Sequence, residues 1–578
     1  MQIQKKKRPS TSLFLWIATA VLFVAAIVPT LLKYMPVGHD VIYHCMRLLN
    51  IAEEMRHGNP FPTIYTYALN GMGYGAPLFY SDLFLYPFAL INALGVSIYW
   101  TFKILQASLL VMSFVSMYWV GKALFKDRVQ AQVTALAYSF SFYSLMDIYY
   151  RAAIGECFTF VFLPVVYLGY YRITHGREDC WWILALGMLG ILLSHTLSVI
   201  LAMILLIVLI LFDFKYWIRH LSHIRYMVYA ALLCIGLGCY FWLPMLEQLT
   251  QLSFRLNLDV TNAQGRFWSS MYNPLRLLAT PIISAIVKPN EPVAFVRLTG
   301  TVGYLAIMVG LAASWKNRRR SVCLMMVVSL VFVWLSGRYS PTQLLAETPL
   351  ATLQFPWRIL LCATMALALF IGMSMASIRS TRWKNIFIGL VVVSAATSIY
   401  CNFPADQYAA MVEYAARYDH TFESFFDFHM NKNEVSDGQY LPDDLEYVMA
   451  GNLYAYYPPE FEARASDDAV EFSLSRNDQN HLVCTFSGNP GGATIDVPLI
   501  LYIGYTAELS DGTPLEVSRG DSGMVRVLLG DHASGEFILR YEGTTIQKVS
   551  GGVTIVTLAA FAALMLLRRR KAKAPAEQ

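Results

Sequence analysis

The sequence predicts an α-helical polytopic membrane protein that carries an extracytoplasmic β-sandwich-like domain. Apolar runs of about 20 residues recur along the chain, and each is long enough for a helix to cross a bilayer. Of the 578 residues, 56% are hydrophobic and 14% are charged. The segment 402–548 holds 24 Asp and Glu against 8 Lys and Arg, whereas the remainder is basic. We therefore expect a membrane domain over 1–401, an outer soluble domain over 402–548, and a final helix with a basic tail over 549–578.

About 12 transmembrane helices are predicted, and clusters of Lys and Arg recur between them. The predicted spans are 12–33, 98–121, 129–146, 157–172, 181–194, 196–214, 225–243, 298–315, 321–337, 358–378, 384–401 and 551–567. The basic clusters, which favour the cytoplasmic side, are Lys5–Arg8, Lys122–Arg128, Arg172–Arg177, Lys215–Arg225, Lys316–Arg320, Arg379–Lys384 and Arg568–Lys573. Both ends of the chain carry such a cluster, so we expect cytoplasmic termini and an even number of crossings.

Two further apolar stretches are treated separately. If residues 80–94 crossed the membrane, the next basic cluster would lie outside, so we expect a juxtamembrane or re-entrant helix there. Residues 180–214 are too long for one span and have basic residues at both ends. They therefore predict a hairpin of two helices whose turn, near Ser194 and His195, lies on the outer side.

The outer domain changes character after Glu460, where short stretches rich in β-branched and aromatic residues alternate with turn signals. The predicted strands lie within 469–474, 481–486, 493–503, 515–517, 523–529 and 535–541. Turn signals such as Asn489-Pro490-Gly491-Gly492 separate them. This spacing is typical of a compact β-sandwich.

A polar group follows the first predicted span. Residues 40–57 predict an amphipathic helix that ends at Gly58-Asn59-Pro60. Steps of three and four residues put Asp40, His44 and Arg47 on one helix face. Titratable residues at a membrane face usually mark a functional site. The alternative is that Asp40 only caps the helix N-terminus, where Asp is favoured.

Three other outer segments carry comparable residues. Asp147, Arg151 and Glu156 lie in one short loop, and the alternative is a surface ion pair of little energetic value. His195 could be a hydrogen-bonded residue that breaks a helix, and Arg358 could extend to the interface from a span end. Placing all of these residues at one membrane level favours a site for an anionic, lipid-linked substrate. Arginines would bind phosphate oxygens, and a carboxylate would take a proton from an attacking hydroxyl.

The order of motifs resembles a known family. After the first span, Asp40 and the Tyr43, His44, Arg47 helix comes Gly71-Met72-Gly73-Tyr74-Gly75-Ala76-Pro77-Leu78-Phe79-Tyr80. The supporting motifs are Tyr150-Arg151-Ala152, Gly155-Glu156, Ser194-His195, Gln354-Phe355-Pro356-Trp357-Arg358, Tyr440-Leu441-Pro442, and Tyr502 with Gly504-Tyr505. Together they resemble the GT-C superfamily of polyprenyl-phosphate-dependent membrane glycosyltransferases. Within it, the chain is most similar to bacterial YfhO-like proteins and to membrane proteins labelled 6-pyruvoyl-tetrahydropterin synthase-related.

The resemblance implies a GT-C-like core in the bacterial plasma membrane and an active site reached from outside. Asp40 would be the catalytic general base, and Arg358, with Arg151 or Arg47, would hold the donor phosphate. The residues expected to orient the substrates or bind a divalent cation are His44, His195, Asp147 and Glu156. The expected partners are a polyprenyl-phosphate sugar donor, a cell-envelope glycan or polymer acceptor, and the lipid bilayer, with no nucleic acid.

Three points stay open at this stage. The chain has no obvious Asp-x-Asp or Glu-x-Asp pair, so a divalent cation is possible but is not required. The pterin-synthase label implies no activity, because no compact domain with a His-rich zinc site is evident. A transporter or flippase for lipid-linked sugars, or a noncatalytic envelope scaffold, is an alternative, although no inverted repeat supports transport.

Overall fold

The structure is a computed structural model, and the chain folds into two compact units. It describes residues 11–32, 38–255, 301–317, 320–341, 344, 353, 355–403, 408–409, 412–413, 435–436, 440–443, 448–450, 455–457 and 461–573. The first unit comprises Met1–Val41, Phe102–Ala231 and Asn262–Phe422. The second comprises Ile42–Thr101, Leu232–Thr261 and Glu423–Gln578, so it includes two segments that the predicted boundaries assign to the membrane domain.

The helices of the described residues are numbered here in chain order. They are α1 (Thr11–Leu31), α2 (Val41–Arg56), α3 (Ala76–Phe79), α4 (Tyr86–Ala93), α5 (Ile98–Phe125), α6 (Arg128–Ser139), α7 (Phe142–Leu145), α8 (Ile154–Thr174), α9 (Trp182–Leu192), α10 (Thr196–Phe212), α11 (Phe214–Arg219), α12 (Ile224–Gln251), α13 (Thr301–Lys316), α14 (Arg320–Leu335), α15 (Leu360–Met375), α16 (Thr381–Cys401) and α17 (Thr545–Lys573). A π-helix covers Met146–Arg151, and short 3₁₀ turns include Leu69–Gly71 and Pro356–Ile359.

Seven helices within the described residues are long and apolar enough to cross a membrane. They are Ser12–Leu31, Ile98–Phe125, Ile154–Thr174, Leu221–Gln251, Pro356–Met375, Thr381–Cys401 and Thr545–Arg568. Each coincides with a predicted span. Two shorter apolar helices, Thr196–Phe212 and Val322–Leu335, coincide with two more. The predicted class, a helical membrane protein with a β domain, is therefore confirmed.

The predicted span 129–146 is interrupted. Helix α6 ends at Ser139, and the single turn α7 begins at Phe142. The Ser141 hydroxyl accepts a hydrogen bond from the Ser144 amide at 3.3 Å, which caps the new turn. The π-helix follows directly. The apolar run is therefore divided into three short pieces, and the last of them enters the polar site.

Both special apolar stretches take the expected form. The break at Leu193–His195 divides residues 180–214 into α9 and α10, as predicted. The 80–94 stretch contains α4, whose eight residues are far fewer than the roughly 20 that a crossing helix needs.

The strands all belong to the second unit. They are β1 (Val435–Ser436), β2 (Val448–Ala450), β3 (Ala455–Tyr457), β4 (Arg464–Ala465), β5 (Glu471–Arg476), β6 (Leu482–Ser487), β7 (Thr494–Ile500), β8 (Tyr505–Leu509), β9 (Pro514–Arg519), β10 (Met524–Leu528) and β11 (Ser534–Tyr541). The first three form a small sheet in the order β1-β3-β2. The others form one antiparallel sheet in the order β4-β7-β10-β9-β8-β11-β6-β5.

One apolar core lies inside the larger sheet. Strands β7 and β10 contribute Ile495 and Val527 to this core, and strands β6 and β11 contribute Phe486 and Phe537. Alternating inward side chains produce this arrangement, as the strand pattern predicts. The sequence prediction missed only β8 among the strands that carry this core. Its inward residues are the small Ala507 and a single Leu509, which make a weak pattern.

The glycine-rich motif of residues 71–80 packs against the β domain within the second unit. A Cβ atom added at Gly75 would lie 2.6 Å from the ring of Tyr502. Gly71 has a φ of 87°, and its carbonyl oxygen accepts a 2.5 Å hydrogen bond from Arg476. The Ile500 amide donates to the Met72 carbonyl at 2.9 Å. These glycines therefore allow close backbone approach to the sheet, which explains why the 42–101 segment shares a unit with it.

Candidate active site

A buried ion network lies in the first unit. Arg151 Nη1 donates to Asp147 Oδ1 and also to Glu156 Oε2, the latter at 2.9 Å. The side chains of Asp147 and Glu156 are 0% exposed, and that of Arg151 is 6% exposed. The alternative of a surface ion pair is therefore wrong. A buried network of this kind costs desolvation energy, and breaking it by removing one partner is strongly destabilising.

Glu156 also connects this network to Arg358. Arg358 Nε lies 3.4 Å from Glu156 Oε2, and Arg358 Nη1 donates to the Leu353 carbonyl at 3.2 Å. The Tyr143 hydroxyl donates to the other oxygen of Glu156. Arg358 is 6% exposed, so it does not extend towards the interface as the alternative held. Glu156 accepts hydrogen bonds from Tyr143 and Arg151 and forms an ion pair with Arg358.

The backbone at this site is unusual. The π-helix Met146–Arg151 ends at Ala152, which is left-handed with φ 54° and ψ 37°. The Asp40 amide donates to the Arg151 carbonyl at 2.9 Å. A Cβ atom at Gly38 would lie 2.7 Å from the Tyr150 carbonyl oxygen, so only glycine fits there. Local π-helices and left-handed non-glycine residues cluster at functional sites. Here they bring the segment that carries Asp40 onto the segment that carries Arg151.

The Asp40 carboxylate differs from those of Asp147 and Glu156 in its exposure and its hydrogen bonding. It is half-buried, and no hydrogen bond to it is found among the described residues. It therefore does not cap α2 with a side-chain hydrogen bond. Burial raises the pKa of Asp40, Arg151 and Arg358 act in the opposite direction, and Glu156 adds to the increase. All three charged residues are thus near enough to act on Asp40, and a raised pKa suits a general base.

His195 sits at the N-terminus of α10, where it ends the helical hairpin turn. Its Nδ1 atom lies 2.7 Å from the Ser198 hydroxyl, and the residue is 9% exposed. This geometry matches the helix-breaking alternative. A role in orienting substrate remains a prediction.

His44 and Arg47 belong to the second unit, in a separate buried network. Arg47 donates to Asp82 Oδ1 from Nη2 at 2.6 Å and from Nε at 3.0 Å, and to the Ser81 carbonyl at 2.8 Å. The Tyr65 hydroxyl donates to Asp82 Oδ2 at 2.5 Å. His44 Nδ1 lies 3.5 Å from Arg47 Nη1. Asp82 is the partner that sequence reasoning missed, because it lies 35 residues from Arg47 with no motif between them.

The acids of the ion network do not fit a divalent cation. The Asp147 and Glu156 oxygens that face each other share the Arg151 guanidinium, which occupies the place a cation would take. Within the described part of the chain, no group of three or more His, Cys, Asp or Glu side chains is arranged to hold a metal ion. The chemistry of the site is therefore derived below from the protein side chains.

Comparisons with known proteins give limited likenesses. No protein-family model matches the chain. An "Uncharacterized protein" of Lactococcus lactis subsp. cremoris (strain MG1363) is 24% identical over 243 residues, which is 40% of this chain and 39% of that protein. The cryo-EM structure of the arabinofuranosyltransferase AftD from mycobacteria has a TM-score of 0.37 at 15% identity, covering 71% of this chain and 29% of AftD. The chain spans less than half the length of either protein, so its function is argued from its own residues.

Proposed function

We propose that the protein is a membrane glycosyltransferase that moves a monosaccharide from a polyprenyl-phosphate donor to an extracytoplasmic cell-envelope acceptor. The observation that carries the proposal is the half-buried Asp40 carboxylate, to which no hydrogen bond is found among the described residues. It lies outside the candidate membrane spans and within electrostatic reach of Arg151 and Arg358. A proton acceptor beside fixed cations suits transfer from an anionic leaving group.

The transfer step needs one base and one cation. The oxygen of the acceptor hydroxyl attacks the anomeric carbon of the sugar, and Asp40 takes the hydroxyl proton. The bond between the anomeric carbon and the phosphate oxygen breaks, and the polyprenyl phosphate leaves with the electron pair. The result is a glycoside of inverted configuration, a protonated Asp40 and a lipid phosphate.

Arg358 is the best supported donor to the leaving phosphate. Arg151 Nη1 is shared between Asp147 and Glu156, and Arg47 is bound to Asp82 and two backbone carbonyls. Within the part of the chain that the structure describes, Arg358 Nε has the longer 3.4 Å approach to Glu156 and no hydrogen bond. Its guanidinium therefore keeps donors for phosphate oxygens, where charge grows as the bond breaks. Arg151 and Glu156 would then orient Arg358 rather than contact the donor.

The remaining acids and histidines take supporting roles in this proposal. Asp147 and Glu156 hold Arg151 in place, and Glu156 also holds Arg358. His195, at the turn of the hairpin, would orient donor or acceptor, as would His44. No step depends on a bound cation.

The test is sugar transfer by the purified protein in lipid nanodiscs. Synthetic polyprenyl-phosphate sugars with a radiolabel serve as donors, and extracted envelope glycan serves as acceptor. Asp40→Asn keeps the size of the side chain but removes the base, so we expect transfer to fall by about 10²- to 10⁴-fold. Asp179→Asn is the control, because the Asp179 side chain is 66% exposed in a short 3₁₀ turn between α8 and α9.

Two results would overturn the proposal. Full transfer by Asp40→Asn would exclude Asp40 as the base. Absence of transfer by the wild type with every donor tested would exclude the enzyme class, and a flippase assay with fluorescent lipid-linked sugars in liposomes would then take its place.

A further inference from the structure

Two polar side chains lie buried on one face of α5, where sequence patterns gave no reason to expect them. Lys103 is 2% exposed and Gln106 is 4% exposed. They are three residues apart, so they project from the same side of the helix. Burying an ammonium and an amide in an apolar segment is costly unless each is well bonded. Their partners therefore indicate what they do.

Lys103 binds the end of α1. Its Nζ atom donates to the Leu32 carbonyl at 2.6 Å. The last carbonyls of a helix have no partner within the helix, and a cation there also interacts favourably with the helix dipole. Leu32 is the last described residue before Gly38. Lys103 thus fixes the backbone at Leu32, eight positions before Asp40 in the sequence.

Gln106 binds the π-helix. Its Nε2 atom donates to the Ile148 carbonyl at 2.8 Å. The chain turns left-handed at Ala152, and the Ala153 amide bonds to the Asp147 carbonyl instead of that of Ile148. The π-helix therefore leaves the Ile148 carbonyl for an outside donor, and Gln106 supplies it. A buried carbonyl left without a donor would cost free energy comparable to a lost hydrogen bond.

We propose that Lys103 and Gln106 are positioning residues for Asp40, which act on two backbone segments of the first unit. Lys103 holds the Leu32 carbonyl at the end of α1, and Gln106 holds the π-helix segment, whose Arg151 carbonyl accepts the Asp40 amide at 2.9 Å. The inference rests on the proposed function in that the positioned carboxylate is the base. Neither side chain touches the reacting atoms. They act through the backbone.

The first readout is hydrogen–deuterium exchange at the Asp40 amide, which does not depend on activity. We compare Lys103→Met and Gln106→Leu with the wild type, using peptides that cover residues 38–45. Each substitution removes a donor while keeping a side chain of similar length. Loss of one buried hydrogen bond should speed exchange at this amide by about tenfold. Lys103→Arg keeps a donor and should restore slow exchange.

A matched control lies in α6. Gln132 is 1% exposed, and its Nε2 atom donates to the Thr19 hydroxyl in the middle of α1 at 2.8 Å. Gln132→Leu therefore removes a buried interhelical hydrogen bond of the same type, also to α1, without touching the backbone that holds Asp40. It should lower thermal stability about as much as Gln106→Leu and leave exchange at Asp40 unchanged.

The second readout is transfer kinetics. A base displaced by about 1 Å should lower kcat by about 100-fold with little change in the KM for donor, whereas the control should keep the wild-type kcat. Equal exchange at Asp40 in Gln106→Leu and Gln132→Leu would overturn the inference, whatever the activity. Faster exchange with an unchanged kcat would also overturn it.

The outcomes separate this inference from the proposed function. If exchange at Asp40 rises as expected but the wild type transfers no sugar from any donor, the backbone support stands and the glycosyltransferase proposal fails. If Asp40→Asn abolishes transfer and exchange is unaffected, the proposed function stands and the positioning role fails.

Discussion

Arg358 Nε and Glu156 Oε2 lie 3.4 Å apart, so an arginine at the start of one span meets an acid in the first turn of another. Both residues also act on Asp40, in opposite directions, because Arg358 lowers the pKa of that carboxyl and Glu156 raises it. The balance between burial and the charges of Arg151, Arg358 and Glu156 sets when Asp40 is deprotonated. Kinetic measurements can test each contribution by itself.

The acid side of the pH–rate profile should report Asp40. A base works only when deprotonated, so kcat/KM should rise with pH through the pKa of Asp40, which burial raises from its ordinary value. Arg358→Gln removes a cation that lowers this pKa, and the acid limb should therefore move to higher pH. Steady-state transfer between pH 4 and 9 measures the shift. A limb that stays in place would mean that another group titrates.

Glu156→Gln should move the same limb the other way. Glu156 raises the pKa of Asp40, so its neutral replacement should shift the acid limb to lower pH, provided the variant folds. At low pH, the variant should then keep a larger fraction of its own maximal activity than the wild type does. If Glu156→Gln moved the acid limb as far as Arg358→Gln does and in the same direction, both substitutions would act by disturbing the structure rather than by charge.

Asp147→Asn should be tolerated better than Glu156→Gln. Glu156 accepts from Tyr143 and Arg151 and lies beside Arg358. Asp147 accepts from Arg151 through one oxygen, and its Oδ2 atom has no hydrogen-bond partner among the residues that the structure describes. An asparagine can keep the single acceptor. Removing the glutamate charge leaves two buried cations poorly compensated, which should cost about 3–5 kcal/mol. Thermal unfolding in detergent measures both variants, and equal losses would contradict the expectation.

Asp82→Asn should destabilise the second unit without moving the pH profile of transfer. The Arg47 and Asp82 side chains are 2% and 1% exposed and form a direct ion pair. Loss of one charge from such a pair should cost about 3–5 kcal/mol of unfolding free energy. Transfer per folded molecule should keep its acid limb, because Arg47 is committed to this pair. A shift of the acid limb in Asp82→Asn would instead support Arg47 as a ligand of the donor phosphate.

Gly75→Ala should destabilise the second unit by overpacking. The added methyl group would lie 2.6 Å from the Tyr502 ring, and the neighbouring backbone would have to shift at a cost of about 1–3 kcal/mol. Gly551→Ala is the control in the same unit. It has open space around the position inside α17, where alanine favours the helix. A neutral Gly75→Ala would contradict the close packing of the motif on the β domain.

Sequence reasoning succeeded where local patterns decide structure. The helix after Asp40, the hairpin broken near His195, and the sheet after Glu460 follow from hydrophobic period, turn residues and length. The cluster of Asp147, Arg151 and Glu156 was also visible, because the three residues lie within ten positions of one another in an otherwise apolar region.

The remaining features depend on distant partners. Nothing local requires a left-handed Ala152, because an alanine adopts that conformation only when the surrounding packing imposes it. Tyr143 looks like an ordinary apolar residue of a span until Glu156 is placed beside it. Asp82, Lys103 and Gln106 are single polar residues in apolar surroundings, and their roles follow from carbonyls or charges that are 35 to 71 residues away.

The bond between Arg476 and the Gly71 carbonyl joins residues 405 positions apart, and this separation governs the order of assembly during biosynthesis. At about 5–20 residues per second, a ribosome needs roughly 20–80 s to make the intervening chain. During that interval the glycine-rich motif has been made while the strands that cover it do not yet exist. Until those strands have been made, the glycine-rich motif cannot form its contacts with Arg476 and Tyr502.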